Sequence, residues 1–117
     1  MDFWQALDRL AAESELVIDR PKGSAHPRYP DCIYPLDYGY LRGTASADGG
    51  GIDVWRGTAP DASISAIMAT VDLIKRDSEI KILMGCTEEE IALVSGTHNN
   101  SSMMKGILVR REGASCG

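Results

Sequence analysis

The sequence lacks any long apolar run. No stretch of its 117 residues is long and apolar enough to span a bilayer, and the N-terminus has no signal-peptide pattern. Cysteine is also scarce: Cys32, Cys86 and Cys116 are odd in number, widely separated and without zinc-ligand spacing. These absences argue against a membrane-spanning protein and a disulfide framework, and we expect a protein of the reducing cytoplasm.

Positive charge is in short supply. The chain has 12 Lys and Arg against 17 Asp and Glu, which gives a formal net charge of −5. A balance of this sign argues against nucleic acid or an anionic membrane as the main partner. An anionic substrate would therefore need a local basic cluster or a bridging metal ion. The chain also lacks internal repeats, a P-loop, a nucleophile elbow and a Cys-x-x-Cys pair.

The length and the 44% hydrophobic content fit one domain spanning residues 1–117 with a modest core. Two stretches, residues 2–13 and 87–95, predict helices. Each begins with Asp or Thr followed three residues later by Gln or Glu, as in a capping box. The glutamates at 88–90 are therefore assigned to helix capping rather than to catalysis. Aromatic and β-branched residues predict strands over residues 16–18, 38–41, 52–55, 64–73 and 105–111.

The most informative stretch runs from Tyr34 to Trp55. Its glycine-rich centre, at 49–51, allows the backbone to turn tightly between two predicted strands. Asp48 and Asp53 flank that turn, and their carboxylate oxygens are the hard ligands that Mg²⁺ or Ca²⁺ requires. A surface hairpin with solvated acids accounts for the same residues equally well.

This stretch resembles the central motif of the soluble family I inorganic pyrophosphatases, Tyr-Pro-x-Asn-Tyr-Gly-aromatic followed by Thr and Asp-Gly-Asp-Pro-aliphatic-Asp. The matching residues, in the same order and spacing, are Tyr34, Pro35, Tyr38, Gly39, Tyr40, Thr44, Ser46, Asp48, Gly49, Asp53 and Val54. Three positions depart from the motif. Asp37 replaces the asparagine, Gly50 replaces the middle aspartate, and Gly51 replaces the proline, so one metal-binding carboxylate is missing.

A second segment resembles the same family upstream of the motif. Asp19 stands where the family has a metal-shell glutamate. Lys22 matches the lysine of the family's Pro-Lys-Gly-Ser, and Arg28 with Tyr29 matches its Lys-Tyr pair. Arginine keeps the positive charge and offers a bidentate fork to phosphate oxygens. The match needs a one-residue insertion, and a hairpin that carries a phosphate-binding arginine in the family is missing before Tyr34. A solvated basic loop is the plainer alternative.

A third segment resembles the family's Asp-loop-Asp-x-Lys pattern. Asp77, Glu79 and Lys81 fill these positions, in a loop shortened by several residues. Carboxylates at this turn could face the turn of Asp48 and Asp53 and share metal ions, while the lysine offers a point charge to phosphate. An ordinary charged hairpin turn is the alternative reading.

The resemblance covers about Asp19 to Lys81 and implies an α+β, mainly β fold: a small closed barrel of the oligonucleotide-binding type, with about five or six strands and two helices outside. It implies Mg²⁺-dependent hydrolysis of inorganic pyrophosphate, with Mn²⁺ as a substitute, by a homo-oligomer. The metal ligands it implies are Asp19, Asp48, Asp53, Asp77 and Glu79. The catalytic residues it implies are Asp48, Asp53 and Tyr38. The substrate-binding residues it implies are Lys22, Arg28, Tyr34, Tyr38 and Lys81.

Two alternatives to pyrophosphate hydrolysis stay open. One is a degenerate, non-catalytic relative that binds a phosphate compound or a metal ion. The missing aspartate, the missing hairpin and a C-terminus without a clear Tyr-Lys pair favour it. The other is a phosphohydrolase for a nucleotide or another phosphorylated metabolite, since shortened loops could leave a more open pocket.

Overall fold

A computed structural model describes residues 1–46 and 49–111. Six strands form one mixed sheet in the order β1-β2-β3-β5-β4-β6. The strands are β1 (Glu15–Arg20), β2 (Asp37–Arg42), β3 (Ile52–Arg56), β4 (Ile64–Asp72), β5 (Asp77–Met84) and β6 (Met104–Arg110). All neighbours are antiparallel except β3 and β5, which run parallel.

Two helices flank the strands, α1 (Phe3–Ala12) and α2 (Glu88–Thr97). Both begin with the predicted capping box, with Asp2 and Thr87 as the N-cap residues. The Glu90 carboxylate accepts hydrogen bonds from the backbone N–H groups of Thr87 and Thr58 and from the Thr58 hydroxyl. This confirms capping by Glu90 and ties the start of α2 to the loop after β3. Neither helix is long and apolar enough to cross a membrane.

The sheet buries apolar side chains on both faces, because neighbouring residues of a strand point to opposite sides. One cluster packs beneath α2 and the β1–β2 loop, and its members include Tyr34, Leu36, Trp55, Met68, Leu83, Ile91 and Val94. The other packs beneath α1, and its members include Leu7, Leu41, Val54, Ile67 and Ile82. The alternation of Val54 with Trp55, and of Ile82 with Leu83, assigns one residue of each pair to each cluster.

The expectation of a mainly β, α+β fold with two helices is confirmed. Closure into a barrel is not found in the described residues, where β1 and β6 form the two edges and no hydrogen-bonded pair joins them. The β4–β5 hairpin inserts its second strand beside β3, which leaves β6 outermost.

Candidate functional site

A buried lysine lies at the centre of the candidate site. Lys81 Nζ lies 2.9 Å from Asp53 Oδ2, donates to Tyr38 Oη at 2.9 Å, and lies 3.9 Å from Glu79 Oε2. The side chain of Lys81 is 8% exposed and that of Glu79 is 4% exposed. Removal of either charge would leave its partner in a site with little water, at a large desolvation penalty. These four residues are called the Lys81 cluster below.

The sheet geometry assembles this cluster from distant parts of the sequence. The parallel register of β3 and β5 sets Asp53 beside Lys81, and the antiparallel register of β2 and β3 sets Tyr38 beside Trp55. Glu79 and Lys81 are two residues apart in β5 and therefore point to the same face. Strand pairing thus brings together the side chains whose proximity the sequence motif only suggests.

A second lysine extends the charge network toward the β4–β5 turn. Lys75 Nζ lies 3.7 Å from Asp77 Oδ2 and 3.7 Å from Glu79 Oε1. Glu79 therefore stands between two ammonium groups, those of Lys75 and Lys81. Positive and negative side chains alternate from the turn to the middle of the sheet, so the predicted acids here are already neutralised by lysines.

Five rings form a continuous aromatic column of stacked, tilted and edge-to-face pairs. The ring centroids of His26, Tyr34, Tyr38, Trp55 and His98 follow one another at 6.2, 5.3, 4.5 and 5.7 Å. Such offset and tilted pairs are favourable aromatic geometries. The column leads from the β1–β2 loop, through the ring whose hydroxyl contacts Lys81, to the end of α2.

Tyr38 is held in its protonated form. Burial raises its pKa far above the ordinary value, and the negative charge of Asp53 and a hydrogen bond with it raise the pKa further. A phenol in this state keeps its proton and donates it only in a hydrogen bond. Tyr38 can therefore assist anion binding only as a neutral hydrogen-bond donor.

Arg20, a residue without a predicted role, contacts Tyr34 of the column. Arg20 Nη1 donates to Tyr34 Oη at 2.9 Å, and its guanidinium lies 5.8 Å from the Tyr34 ring centre. The register of β1 against β2 shifts between Ile18 and Arg20, and such an irregularity changes which side chain faces a neighbouring strand. Asp19 is exposed, and its role as a metal ligand stays a prediction.

The two predicted basic residues of the β1–β2 loop, Lys22 and Arg28, are exposed. The backbone N–H of Lys22 donates to Asp37 Oδ1 at 2.8 Å, so the residue that replaces the motif's asparagine anchors this loop. The backbone N–H of Arg28 donates to His26 Nδ1 at 3.0 Å. Neither residue belongs to the Lys81 cluster, and their roles toward phosphate stay predictions.

Asp48 lies outside the described residues. Beside the glycine turn, Tyr40, Gly50, Gly51 and Asp53 line a cavity of about 360 Å³. Gly50 contributes no side chain where the motif has its middle aspartate. Over residues 1–46 and 49–111, no group of three His, Cys, Asp or Glu side chains could hold a metal ion. The described acids therefore do not form a complete metal site on their own.

The buried end of the column should make the protein sensitive to acid. Trp55 Nε1–H donates to His98 Nε2 at 3.0 Å, so the neutral imidazole carries its proton on Nδ1, 3.4 Å from Met104 Sδ. Burial, and then the charge of Lys81, lowers the pKa of His98 to about 4, against a smaller opposite effect of Asp53. Protonation would set two N–H groups, those of Trp55 and His98, against each other.

We expect the folded protein to lose stability as the pH falls from the unfolded pKa, about 6.5, toward 4. The folded state binds this proton less readily than the unfolded state, so the contribution of His98 is fully present above that range. Between about pH 7 and pH 4.5 the free energy of unfolding should fall by about 2–3 kcal/mol from this group. Urea unfolding of the wild type and of His98→Gln checks it, and an equal fall in both would contradict the assignment.

Comparison with solved structures gives matches over most of the chain. An inorganic pyrophosphatase from Neisseria gonorrhoeae superposes with a TM-score of 0.67 at 18% identity, over 86% of this chain and 84% of that one. The chain has the fold of an inorganic pyrophosphatase. An inorganic phosphatase from Anaplasma phagocytophilum superposes with a TM-score of 0.56 at 14% identity, over 86% of this chain and 85% of that one. No protein-family model and no curated protein matches the chain.

On this pyrophosphatase fold, sequence reasoning missed four residues of the site. Arg20, Lys75 and His26 belong to no matched motif position. His98 lay in a polar segment with no motif. One signal was available for Lys75, because it lies four residues before Glu79 across a predicted turn. Nothing local marked the other three: Arg20 and His98 contact Tyr34 and Trp55, which lie 14 and 43 residues away in sequence.

Proposed function

We propose that this chain hydrolyses a phosphoanhydride bond in a Mg²⁺-dependent reaction, with inorganic pyrophosphate, which gives two phosphates, as the smallest substrate. The observation that carries the proposal is the Lys81 cluster: a buried ammonium group bound to Asp53 and Tyr38 on a pyrophosphatase fold. A cytoplasmic location and self-association of the chain stay predictions.

The described carboxylates fit a magnesium ion that arrives with its phosphate ligand. Mg²⁺ in phosphate-processing sites is commonly held by one or two carboxylates and completed by water and substrate oxygens. Asp53 and Glu79 supply such a pair on one face of the sheet, and Asp48 is the third candidate by sequence. When bound, the ion supplies Lewis acidity that lowers the pKa of an attacking water and offsets phosphate charge.

The protein's own groups supply positive charge and hydrogen bonds to the phosphates. Lys81 Nζ is a point charge already oriented by Asp53, and Tyr38 is a donor that stays neutral over the physiological pH range. Preorganised donors in a site largely removed from water stabilise charge that develops as the bridging oxygen leaves. Lys22 and Arg28, on the adjoining loop, would add to the positive field around the substrate.

A second candidate function is binding without hydrolysis. Gly50 provides no carboxylate at the position of the motif's middle aspartate, and Asp53 is already paired with Lys81. Both observations reduce the negative charge available to hold metal ions and to orient a water. The same residues would then bind a phosphate compound, with Lys81 as the main positive group, in a regulatory or sensing module.

Replacement of Asp53 tests the proposal. Asp53→Asn keeps the volume of the side chain and removes its charge, so phosphate release from pyrophosphate with Mg²⁺ should fall by about 100-fold. The matched control is Asp61→Asn, since Asp61 is exposed and caps a local turn through Ser63. Equal release by both variants would overturn the role of Asp53. No release by the wild type, with pyrophosphate binding detected by calorimetry, would establish the second candidate instead.

A further inference from the structure

A cavity lined by residues outside the Lys81 cluster is larger than pyrophosphate needs. It measures about 670 Å³ and lies between residues 28–33 of the β1–β2 loop and the C-terminal end of α2. Arg28, Tyr29 and Ile33 line it on one side, and Asn100 on the other. Pyrophosphate is a small, fully polar anion and makes no use of an aromatic or an aliphatic wall.

The loop that lines the cavity is tied into a defined shape. Ala25 and Ile33 form a β-bridge, and the backbone N–H of His26 donates to the carbonyl of Cys32 at 2.9 Å. The backbone N–H groups of Arg28 and Tyr29 both donate to His26 Nδ1. The Tyr29 side chain is 54% exposed on this loop, with its ring 5.1 Å from that of His26. An aromatic surface is thus presented to the cavity by a preorganised segment.

Positive charge connects the cavity with the Lys81 cluster. Burial lowers the pKa of His26, and the charges of Arg20, Arg28 and Lys75 lower it further. Arg28 lines the cavity, whereas Lys75 pairs with Glu79 of the Lys81 cluster. The positive field at His26 therefore comes from basic groups on both sides, in a protein whose net charge is −5.

The aromatic column lies between the cavity loop and the Lys81 cluster. Two ring-to-ring steps, of 6.2 and 5.3 Å, lead from His26 on the cavity loop to Tyr38 in the Lys81 cluster. A ligand that contacts both places must extend past these stacked rings. It must carry negative charge at one end, for the basic groups, and a flat apolar group at the other, for Tyr29 and Ile33.

We propose that the preferred substrate is an organic diphosphate with an aromatic ring, of the nucleoside diphosphate class, whose ring stacks on Tyr29 and whose phosphates lie between Arg28 and Lys81. The inference rests on the proposed hydrolase function and names its substrate class. Water attacks the terminal phosphorus and the bond to the bridging oxygen breaks. The products are orthophosphate, the organic monophosphate and a proton. Asp31 and Asn100 add polar groups suited to a sugar or base edge.

The test compares several substrates and asks what the aromatic ring of Tyr29 contributes to each. Phosphate release with Mg²⁺ is measured for inorganic pyrophosphate and for purine and pyrimidine nucleoside diphosphates, with wild type, Tyr29→Ala and Tyr29→Phe. We expect a higher kcat/KM for a nucleoside diphosphate than for pyrophosphate. Tyr29→Ala should lower kcat/KM about tenfold for the nucleotide, through KM, and Tyr29→Phe should restore it. Pyrophosphate hydrolysis should not change. The matched control is Phe3→Ala, an aromatic residue 52% exposed on α1.

The outcomes separate this inference from the proposed function. Preference for pyrophosphate, or an equal loss on both substrates in Tyr29→Ala, would overturn the substrate class and leave hydrolysis standing. If no phosphate is released from any compound, hydrolysis fails, and binding of a methylene-bridged nucleoside diphosphate analogue then decides. Binding that weakens about tenfold in Tyr29→Ala supports the ligand class, and absence of binding overturns it.

Discussion

Lys81→Met should abolish phosphate release, with a loss of at least about 100-fold, and should lower the free energy of unfolding by about 3–5 kcal/mol. Methionine keeps most of the side-chain volume, so the effect comes from the lost charge. Asp53, whose oxygen lies 2.9 Å from the ammonium, and Glu79, at 3.9 Å, would remain in a buried site with one counter-charge fewer. Tyr38 would lose its hydrogen-bond donor as well.

The measurement combines urea unfolding with a phosphate-release assay at a temperature where circular dichroism shows the variant folded. Lys105→Met is the control, because Lys105 is exposed and its ammonium contacts only the carbonyl of Asn99 among the contacts described. We expect a change within about 0.5 kcal/mol for that variant. A Lys81→Met protein as stable as the control would show that the cluster does not stabilise the fold.

Gly39→Ala should destabilise the protein by about 3 kcal/mol or more. Gly39 lies in β2 with an ordinary strand conformation, so the reason for glycine here is space rather than backbone freedom. A Cβ at this position would overlap the carbonyl group of Val17 and lie 2.9 Å from Ile18 Cα in β1. Both contacts are with backbone, which cannot rotate away, so the two strands would have to separate.

This clash should spread to the functional cluster. Tyr38 precedes Gly39 in β2, and it pairs with Arg20 of the neighbouring strand β1. We expect faster amide hydrogen exchange in β1 and lower phosphate release, beside the lower urea midpoint. Gly96→Ala is the control: Gly96 lies in α2, where a Cβ would meet nothing within 4 Å, so helix propensity should raise stability by about 0.5–1 kcal/mol. Equal stability of both variants would contradict the steric argument.

Several elements could be predicted because their causes are local. The capping boxes at Asp2 and Thr87 need only residues three positions apart, and both form as predicted. The strand from Ile64 follows from its own β-branched content, and β4 covers Ile64–Asp72. The glycine turn with its flanking acids identified the β2–β3 hairpin. The resemblance to pyrophosphatases is confirmed as a likeness of fold.

The closed barrel and the surroundings of the acids could not be predicted in the same way. Closure requires the two edge strands to pair, and this depends on how far the sheet curves, which no local sequence pattern encodes. In the described residues β1 and β6 stay unpaired edges. The sequence placed Asp77 and Glu79 at a turn that could face a metal ion. It assigned Lys81 to phosphate, and the structure pairs this lysine with Asp53 and sets Lys75 beside Asp77 and Glu79.

The amino-acid sequence by itself determined the elements, their caps and the residue types of a phosphate-binding motif, because those depend on interactions within a few residues. Only the tertiary structure decided which charges meet. The parallel register of β3 and β5 pairs Asp53 with Lys81, and the bridge between Ala25 and Ile33 folds the cavity loop. Contacts between residues far apart in sequence are set by strand pairing, which is a property of the whole chain.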